Sequence, residues 1–291
     1  MPLIVVSDES GDIGVSYKKG GTKNYIITII CFQNHDDINR FVDNARRISK
    51  QCLGTPLRKW VDLKGDFKNN PSKIKMFIEK LLNSDDFPIL LGFYLLNKKE
   101  LESSDKNADK LIIKIYADQG YELCFKRIFP FLKRYHFITK QYKNGILPSI
   151  EWYVDINDKE FISNNRKNIK RLASKENINL HGPYFLQKTD HTKKELVTAI
   201  KIIDILGGIA SRAFNYYTEN CHICSERDCN NAKSCTNKYM PVWKDILKYS
   251  MDRELRYKSI TFWEWQSIIY SPVINRSDHS RFLSRDKFID D

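Results

Sequence analysis

Long hydrophobic runs are missing from this chain, and their absence excludes several classes of protein. The longest apolar run, Tyr25 to Phe32, is far shorter than the roughly 20 apolar residues that a membrane-spanning helix needs. The first residues carry neither the basic start nor the long apolar stretch of a secretory signal peptide. We therefore expect a soluble, cytoplasmic protein whose 291 residues form one large domain or two small ones.

Acidic residues are too few to balance the basic ones. The chain has 48 Lys and Arg against 36 Asp and Glu, which leaves a formal charge of +12. Such an excess favours polyanionic partners, and nucleic acid is the commonest of these. The alternative is a solvated basic surface without a partner. The basic residues clustered in residues 159–175 fit a nucleic-acid contact and a solvated helix face equally well.

Cysteine is sparse over most of the chain. Cys31, Cys52 and Cys124 stand alone in apolar surroundings, as core cysteines do. Residues 218–240 have almost no large apolar side chains, yet they contain the other four cysteines: Cys221, Cys224, Cys229 and Cys235. Four thiolates at this spacing predict a structural Zn²⁺ site, with His222 as a substitute ligand. An iron–sulfur cluster and regulatory disulfides are the alternatives.

Internal repeats are also absent, and the rest of the chain alternates strand and helix patterns. Continuous apolar runs predict strands at residues 3–6, 25–32, 87–96, 150–155 and 181–186. Apolar residues at helical spacing predict helices at about 38–49, 71–82, 108–135, 159–175 and 195–217. The fold class is therefore α/β, with an antiparallel first pair of strands and later strands that can be parallel.

Three aspartates lie at comparable places in this pattern. Asp8 follows the first strand, Asp155 ends a later strand, and Asp204 lies on the last helix, where Gly207 and Gly208 permit close packing. Ligands of open α/β sheets collect beyond the carboxyl ends of the strands. Converging carboxylates repel one another unless divalent cations neutralise them, and their oxygens select Mg²⁺ or Mn²⁺. Two such ions can activate water against a phosphodiester.

Glu9 is a secondary candidate beside Asp8. Neighbouring residues of a strand point to opposite faces of the sheet, so the two carboxylates are expected to separate. Taken alone, Asp8 and Glu9 are also compatible with a polar turn that Gly11 closes. The case for a site at Asp8 therefore depends on the other two aspartates.

Four short elements together resemble a known family. They are Asp8-Glu9-Ser10-Gly11 after an apolar strand, Asp62-Leu63-Lys64-Gly65, Val154-Asp155 at a strand end, and the helical stretch from Ile203 to Arg212. In this order they resemble the uncharacterised prokaryotic family catalogued as domain of unknown function 3800, whose members have a ribonuclease H-like fold. The resemblance covers roughly residues 3–215 and does not extend to the cysteine-rich insert.

The resemblance implies a mixed five-stranded sheet and a two-metal acidic site. Asp8 would bridge both ions, Asp155 would be the ligand on the fourth strand, and Asp204 would be the ligand on the helix. The acidic-x-Lys element of the family would map to Asp62 and Lys64, although the family usually has the longer Glu at the first of these positions. Asp62 would therefore have to approach more closely or act through water.

The sequence thus predicts three regions and one leading function. The regions are a ribonuclease H-like domain at 1–217, a Cys₄ zinc-binding insert at 218–240, and a C-terminal extension at 241–291 that packs on the core and has a mobile tail from about 277. The predicted function is a Mg²⁺- or Mn²⁺-dependent nuclease or phosphodiester hydrolase acting on DNA or RNA. A restriction-type nuclease core with an acidic-x-Lys strand is one alternative, and a non-catalytic nucleic-acid or protein-binding module is the other.

Overall fold

The computed structural model describes residues 2–11, 24–86, 88–97, 119–126, 128–130, 132–133, 148–155, 159–187, 191–220, 239, 242–243 and 245–246. The predicted Cys₄ site, the tail from about 277 and most of the predicted helix at 108–135 lie outside the described residues.

Five strands form one mixed sheet. They are β1 (Leu3–Ser10), β2 (Asn24–Phe32), β3 (Leu90–Asn97), β4 (Ser149–Asp155) and β5 (Asn179–Leu186), in the spatial order β3-β2-β1-β4-β5. Strand β2 is antiparallel to both β1 and β3, while β4 is parallel to both β1 and β5. The predicted α/β class, with a five-stranded mixed sheet and an antiparallel first pair, is confirmed.

The described helices are α1 (His35–Leu53), α2 (Trp60–Asn69), α3 (Pro71–Leu82), α4 (Lys159–Lys175) and α5 (Lys194–Asn220). A short 3₁₀ turn, His191–Lys193, precedes α5, and further helical residues lie between 119 and 133. Helix α5 runs three residues past the end predicted for it.

Helix α2 is absent from the sequence prediction. It buries only Trp60, Leu63 and Phe67, and Gly65 interrupts the pattern between them. Three buried residues in ten, with the apolar Val61 exposed, make too narrow a stripe to identify a helix by periodicity. Packing against the rest of the core stabilises it instead, since Phe67 and Trp60 both contact the ring of Tyr239.

The sheet separates two apolar cores, and alternation along β1 assigns its side chains to them. Ile4 and Val6 face the first core, which α1, α2, α3 and α5 complete. Leu3 and Val5 face the second core, which contains α4 and the helical residues between 119 and 133. Because side chains alternate along a strand, Asp8 belongs to the first face and Glu9 to the second.

Described residues at the end of the cysteine-rich insert and after it pack in the first core. Tyr239, at the end of the insert, stacks on Phe67 at 4.4 Å, and Trp243, after it, is buried with its ring centroid 5.0 Å from that of Phe93. Among the helices of the described residues, none is long and apolar enough to cross a membrane.

Candidate acidic site on the first face of the sheet

Asp8 and Asp155 lie next to each other on the first face of the sheet, where the parallel pairing of β1 and β4 ends at Ser7 and Val154. Asp155 is the last residue of β4, as predicted, but the prediction that Asp8 follows the first strand is wrong: β1 continues to Ser10, and Asp8 pairs with Thr28 of β2. Asp8 and Asp155 are both nearly buried. Burial raises the pKa of Asp8 well above its ordinary value, and the charges of Asp204 and Asp155 raise it further. The three aspartates that the sequence indicated therefore act on one another electrostatically.

Two glycines bring α5, and with it Asp204, close to this strand end. A Cβ atom added at Gly207 would lie 2.7 Å from Thr28 Oγ1 of β2, and one added at Gly208 would collide with the ring of Trp60. Gly207 thus allows the close approach to the sheet that the sequence predicted. Gly208 instead allows α5 to pack closely against Trp60, the first residue of α2.

Asp204 is oriented by the start of α2. Its Oδ2 atom accepts a hydrogen bond of 2.8 Å from the backbone N–H of Trp60, the first residue of that helix. The positive end of a helix dipole stabilises a carboxylate in this position. Burial nevertheless raises the pKa of Asp204, and the charges of Asp155 and Asp62 act in the same direction, against the N–H and Lys59.

Lys59 supplies the cation of this site, and it was not among the residues predicted from the sequence. Its Nζ atom lies 3.6 Å from Asp155 Oδ2, and its charge lowers the pKa of Asp8 and of Asp204. The ammonium group therefore lies among the three carboxylates. The sequence offers no signal for Lys59, because the helix that it precedes was not predicted.

Asp62 and Lys64 lie at the margin of the site. Both are exposed on α2. Asp62 still acts on Asp204, whose pKa its charge raises, while Lys59 rather than Lys64 reaches the carboxylates. The restriction-type alternative is wrong, because it requires the acidic-x-Lys element on a strand and the element lies on a helix.

Glu9 belongs to a separate polar contact on the second face. Burial raises its pKa to about 7, against the opposing effect of the hydroxyl groups of Tyr25 and Tyr121. The separation from Asp8 follows from strand alternation, as predicted. Glu9 is therefore not a member of the acidic site.

In this structure the three carboxylates are grouped around the ammonium group of Lys59. Among the described residues, no group of three or more His, Cys, Asp and Glu side chains is set to hold a metal ion in this conformation. The donor set of Asp8, Asp155 and Asp204 is nevertheless of the oxygen type that Mg²⁺ and Mn²⁺ prefer.

A scan against models of protein families gives no match for this chain, and a search of curated proteins gives none either. The resemblance to the ribonuclease H-like family therefore stays a prediction. The function has to be inferred from the geometry and electrostatics of the acidic site.

Proposed function

We propose that this protein is a ribonuclease H-like, divalent-metal-dependent nuclease or phosphodiester hydrolase. The observation that carries the proposal is the grouping of Asp8, Asp155 and Asp204 where the parallel pairing of β1 and β4 ends. Burial and mutual repulsion oppose the ionised forms of Asp8 and Asp204. Carboxylates are kept together against such a cost chiefly at functional sites.

The residues fit Mg²⁺ or Mn²⁺ in their chemistry. Three carboxylates next to one another need positive charge, and Lys59 already provides one unit of it. About a quarter of the Lys59 side chain is exposed (26%), so its ammonium group has a path to solvent when another cation enters. A bound ion would be held by Asp8, Asp155 and Asp204, and it would supply a water of lowered pKa and charge neutralisation at a phosphodiester.

The chain's own residues orient this donor set. Asp8 is fixed because its strand lies in the centre of the sheet and pairs on both sides. Asp204 is held by the N–H of Trp60. Preorganised ligands of this kind hold an ion in one geometry.

The net charge of +12 supports a nucleic-acid substrate, but the basic cluster on α4 is not next to the acidic site. The basic residues of α4, from Arg166 to Lys175, are exposed, but α4 packs on the second face of the sheet through Ile169 and Ala173. They therefore lie on the side of the sheet opposite to the acidic site. Any nucleic acid that contacts α4 and the site together would have to pass around a sheet edge.

Cleavage of labelled single- and double-stranded DNA and RNA in Mn²⁺ tests the proposal. Asp8→Asn should abolish cleavage, because the amide removes a ligand from the centre of the site. Asp43→Asn is the matched control, since Asp43 is a highly exposed residue of α1 and its replacement should leave turnover unchanged. Cleavage that Asp8→Asn does not reduce would contradict the assignment.

We also propose that Cys221, Cys224, Cys229 and Cys235 hold a structural Zn²⁺ ion. They lie outside the described residues, and the support is their spacing alone. A closed site of four thiolates would not take part in the chemistry.

A non-catalytic nucleic-acid-binding module is the second candidate. The observation that favours it is that, in the described part of the chain, no set of side chains is arranged for a metal ion, while Lys59 pairs with Asp155. In that case Lys59 would neutralise the carboxylates permanently. Calorimetric titration with Mn²⁺ separates the two candidates, because a module of this kind would bind no ion that depends on Asp8.

A further inference from the structure

A second group of side chains lies near the acidic site, on the same face of the sheet. Tyr153 precedes Asp155 by two residues on β4, so the two side chains share a face about 7 Å apart along the strand. Tyr184 of the neighbouring strand β5 pairs with Tyr153. Lys193, at the end of the 3₁₀ turn before α5, lies beside both rings.

An irregularity in β5 directs Tyr184 to this face. Glu151 pairs with His181 and Tyr153 pairs with Tyr184, so a step of two residues on β4 corresponds to a step of three on β5. The extra residue falls at Gly182, which has a φ of 101°. Without it, alternation would turn Tyr184 to the opposite face, since a bulge re-aims the side chains that follow it.

Gly182 is required for this bulge. A Cβ atom there would lie 2.6 Å from the backbone oxygen of Trp152 on β4, and its φ is in the region that favours glycine. The backbone thus adopts a conformation available mainly to glycine at the one place where it brings Tyr184 beside Tyr153. Bulges that re-aim side chains are common next to active sites.

The rings of Tyr153 and Tyr184 form a platform in which Tyr153 is buried and Tyr184 is exposed. Their centroids are 5.1 Å apart, and Lys193 Nζ lies 5.6 Å from each centroid. Tyr153 is buried and its hydroxyl donates a hydrogen bond of 2.7 Å to Glu151 Oε2. Tyr184 is 39% exposed, one of three large hydrophobic side chains in the described residues that are exposed. The Tyr184 ring therefore contacts Tyr153 and Lys193 and remains partly exposed to a ligand.

Of the charged side chains described around the platform, Lys193 is available to pair with a negatively charged group of a ligand. Glu151 faces the same group, but it accepts the Tyr153 hydroxyl and lies 3.2 Å from His35 Nε2. Lys193 is a half-buried residue that contacts ring faces. An exposed aromatic ring beside a lysine is the arrangement that stacks a base and neutralises its phosphate.

We propose that Tyr184 and Lys193 form a subsite for a nucleotide of single-stranded nucleic acid, with the base stacked on Tyr184 and a neighbouring phosphate paired with Lys193. The subsite rests on the proposed function, because its ligand is the strand whose phosphodiester would reach Asp8 and Asp155. A single strand is required since a base inside a duplex does not expose its face.

Binding of fluorescently labelled oligonucleotides to the full-length Asp8→Asn protein tests the subsite without cleavage. Tyr184→Ala should weaken binding of single strands about tenfold, while Tyr184→Phe, which keeps the ring, should stay within about twofold of the parent. Lys193→Gln should weaken binding and reduce the salt dependence by about one phosphate contact. Val61→Ala, at another exposed apolar residue, is the control and should leave binding unchanged.

A base analogue gives a readout that a structural role of Tyr184 would not move. An oligonucleotide with a 2-aminopurine at the stacked position should lose fluorescence on binding, and Tyr184→Ala should abolish the loss while Tyr184→Phe retains it. Thermal melting of each variant shows that the fold is intact, and the Phe variant keeps the test valid if the Ala variant unfolds.

Several outcomes would overturn the subsite. These are equal binding by Tyr184→Ala and its parent, equal binding of duplex and single strand, and no binding of any oligonucleotide. Metal-dependent cleavage with unchanged binding by Tyr184→Ala would remove the subsite and leave the proposed function. Binding that depends on Tyr184, without any cleavage by the wild-type protein, would keep the subsite and remove the proposed nuclease function.

Discussion

Replacing Lys59 with glutamine should strengthen Mn²⁺ binding at the acidic site, because the ion no longer has to displace an ammonium group. At the 3.6 Å that separates Lys59 Nζ from Asp155 Oδ2, the attraction of two unit charges is about 1–5 kcal/mol for effective dielectric constants of roughly 80 to 20. The Lys59 side chain is long and 26% exposed, and solvent screening together with the entropy of fixing such a side chain reduces the net contribution to about 1 kcal/mol. Removing that competition should lower the dissociation constant of Mn²⁺ about fivefold.

The same substitution should have the opposite effect on the metal-free protein. Without Lys59 the three carboxylates lose their cation, so the free energy of unfolding in EDTA should fall by about 1 kcal/mol, or about 2–4 °C in Tm. In saturating Mn²⁺ the two proteins should unfold alike, since the wild type has then lost its ion pair as well. The two measurements therefore close one thermodynamic cycle.

Isothermal titration calorimetry and thermal melting provide the two measurements. Lys64→Gln is the matched control: it removes the same charge from an exposed position of the same helix, and it should change the Mn²⁺ affinity by less than twofold. Weaker Mn²⁺ binding by Lys59→Gln would refute the reasoning, because Lys59 would then support the ligands rather than compete with the ion. Equal effects of both substitutions would show that only the overall charge matters.

Three further predictions concern stability and metal content. Glu9→Gln should leave the stability near pH 4 unchanged and raise it by up to about 3 kcal/mol at pH 8. The reason is that burial raises the pKa of Glu9 to about 7, so the folded wild type loses stability as the pH rises through this value and Glu9 ionises. The neutral Gln has no such loss. Urea unfolding at the two pH values measures it. Gly208→Ala should cost about 1–3 kcal/mol in the same assay because its methyl group would collide with Trp60, whereas Gly65→Ala, with open space around it, should gain about 0.5–1 kcal/mol. Elemental analysis should find one zinc per chain, and Cys224→Ser should reduce it; full zinc content in that variant would contradict the Cys₄ assignment.

The class of the fold could be predicted from the sequence because it follows from local pattern. Continuous apolar runs such as Tyr25 to Phe32 indicate strands that are buried on both faces, and β2 is buried along its whole length. Helix α2 could not be found in this way. Two of its three buried residues, Trp60 and Phe67, contact Tyr239, which lies far along the chain, so its stability comes from tertiary packing rather than from periodicity.

For the site, local pattern was enough to place Asp155 at a strand end and to separate Asp8 from Glu9, because side chains alternate between the two faces along a strand. It did not show that β1 continues past Asp8 to Ser10, because that extension depends on pairing with β2. Which cation meets the carboxylates depends on long-range packing. Lys59 and Lys64 lie on or next to the same short helix, and nothing local distinguishes them. Helix α5 packs through Gly208 against Trp60, the first residue of α2. This packing brings Lys59, the residue before Trp60, to Asp155 and leaves Lys64 in solvent.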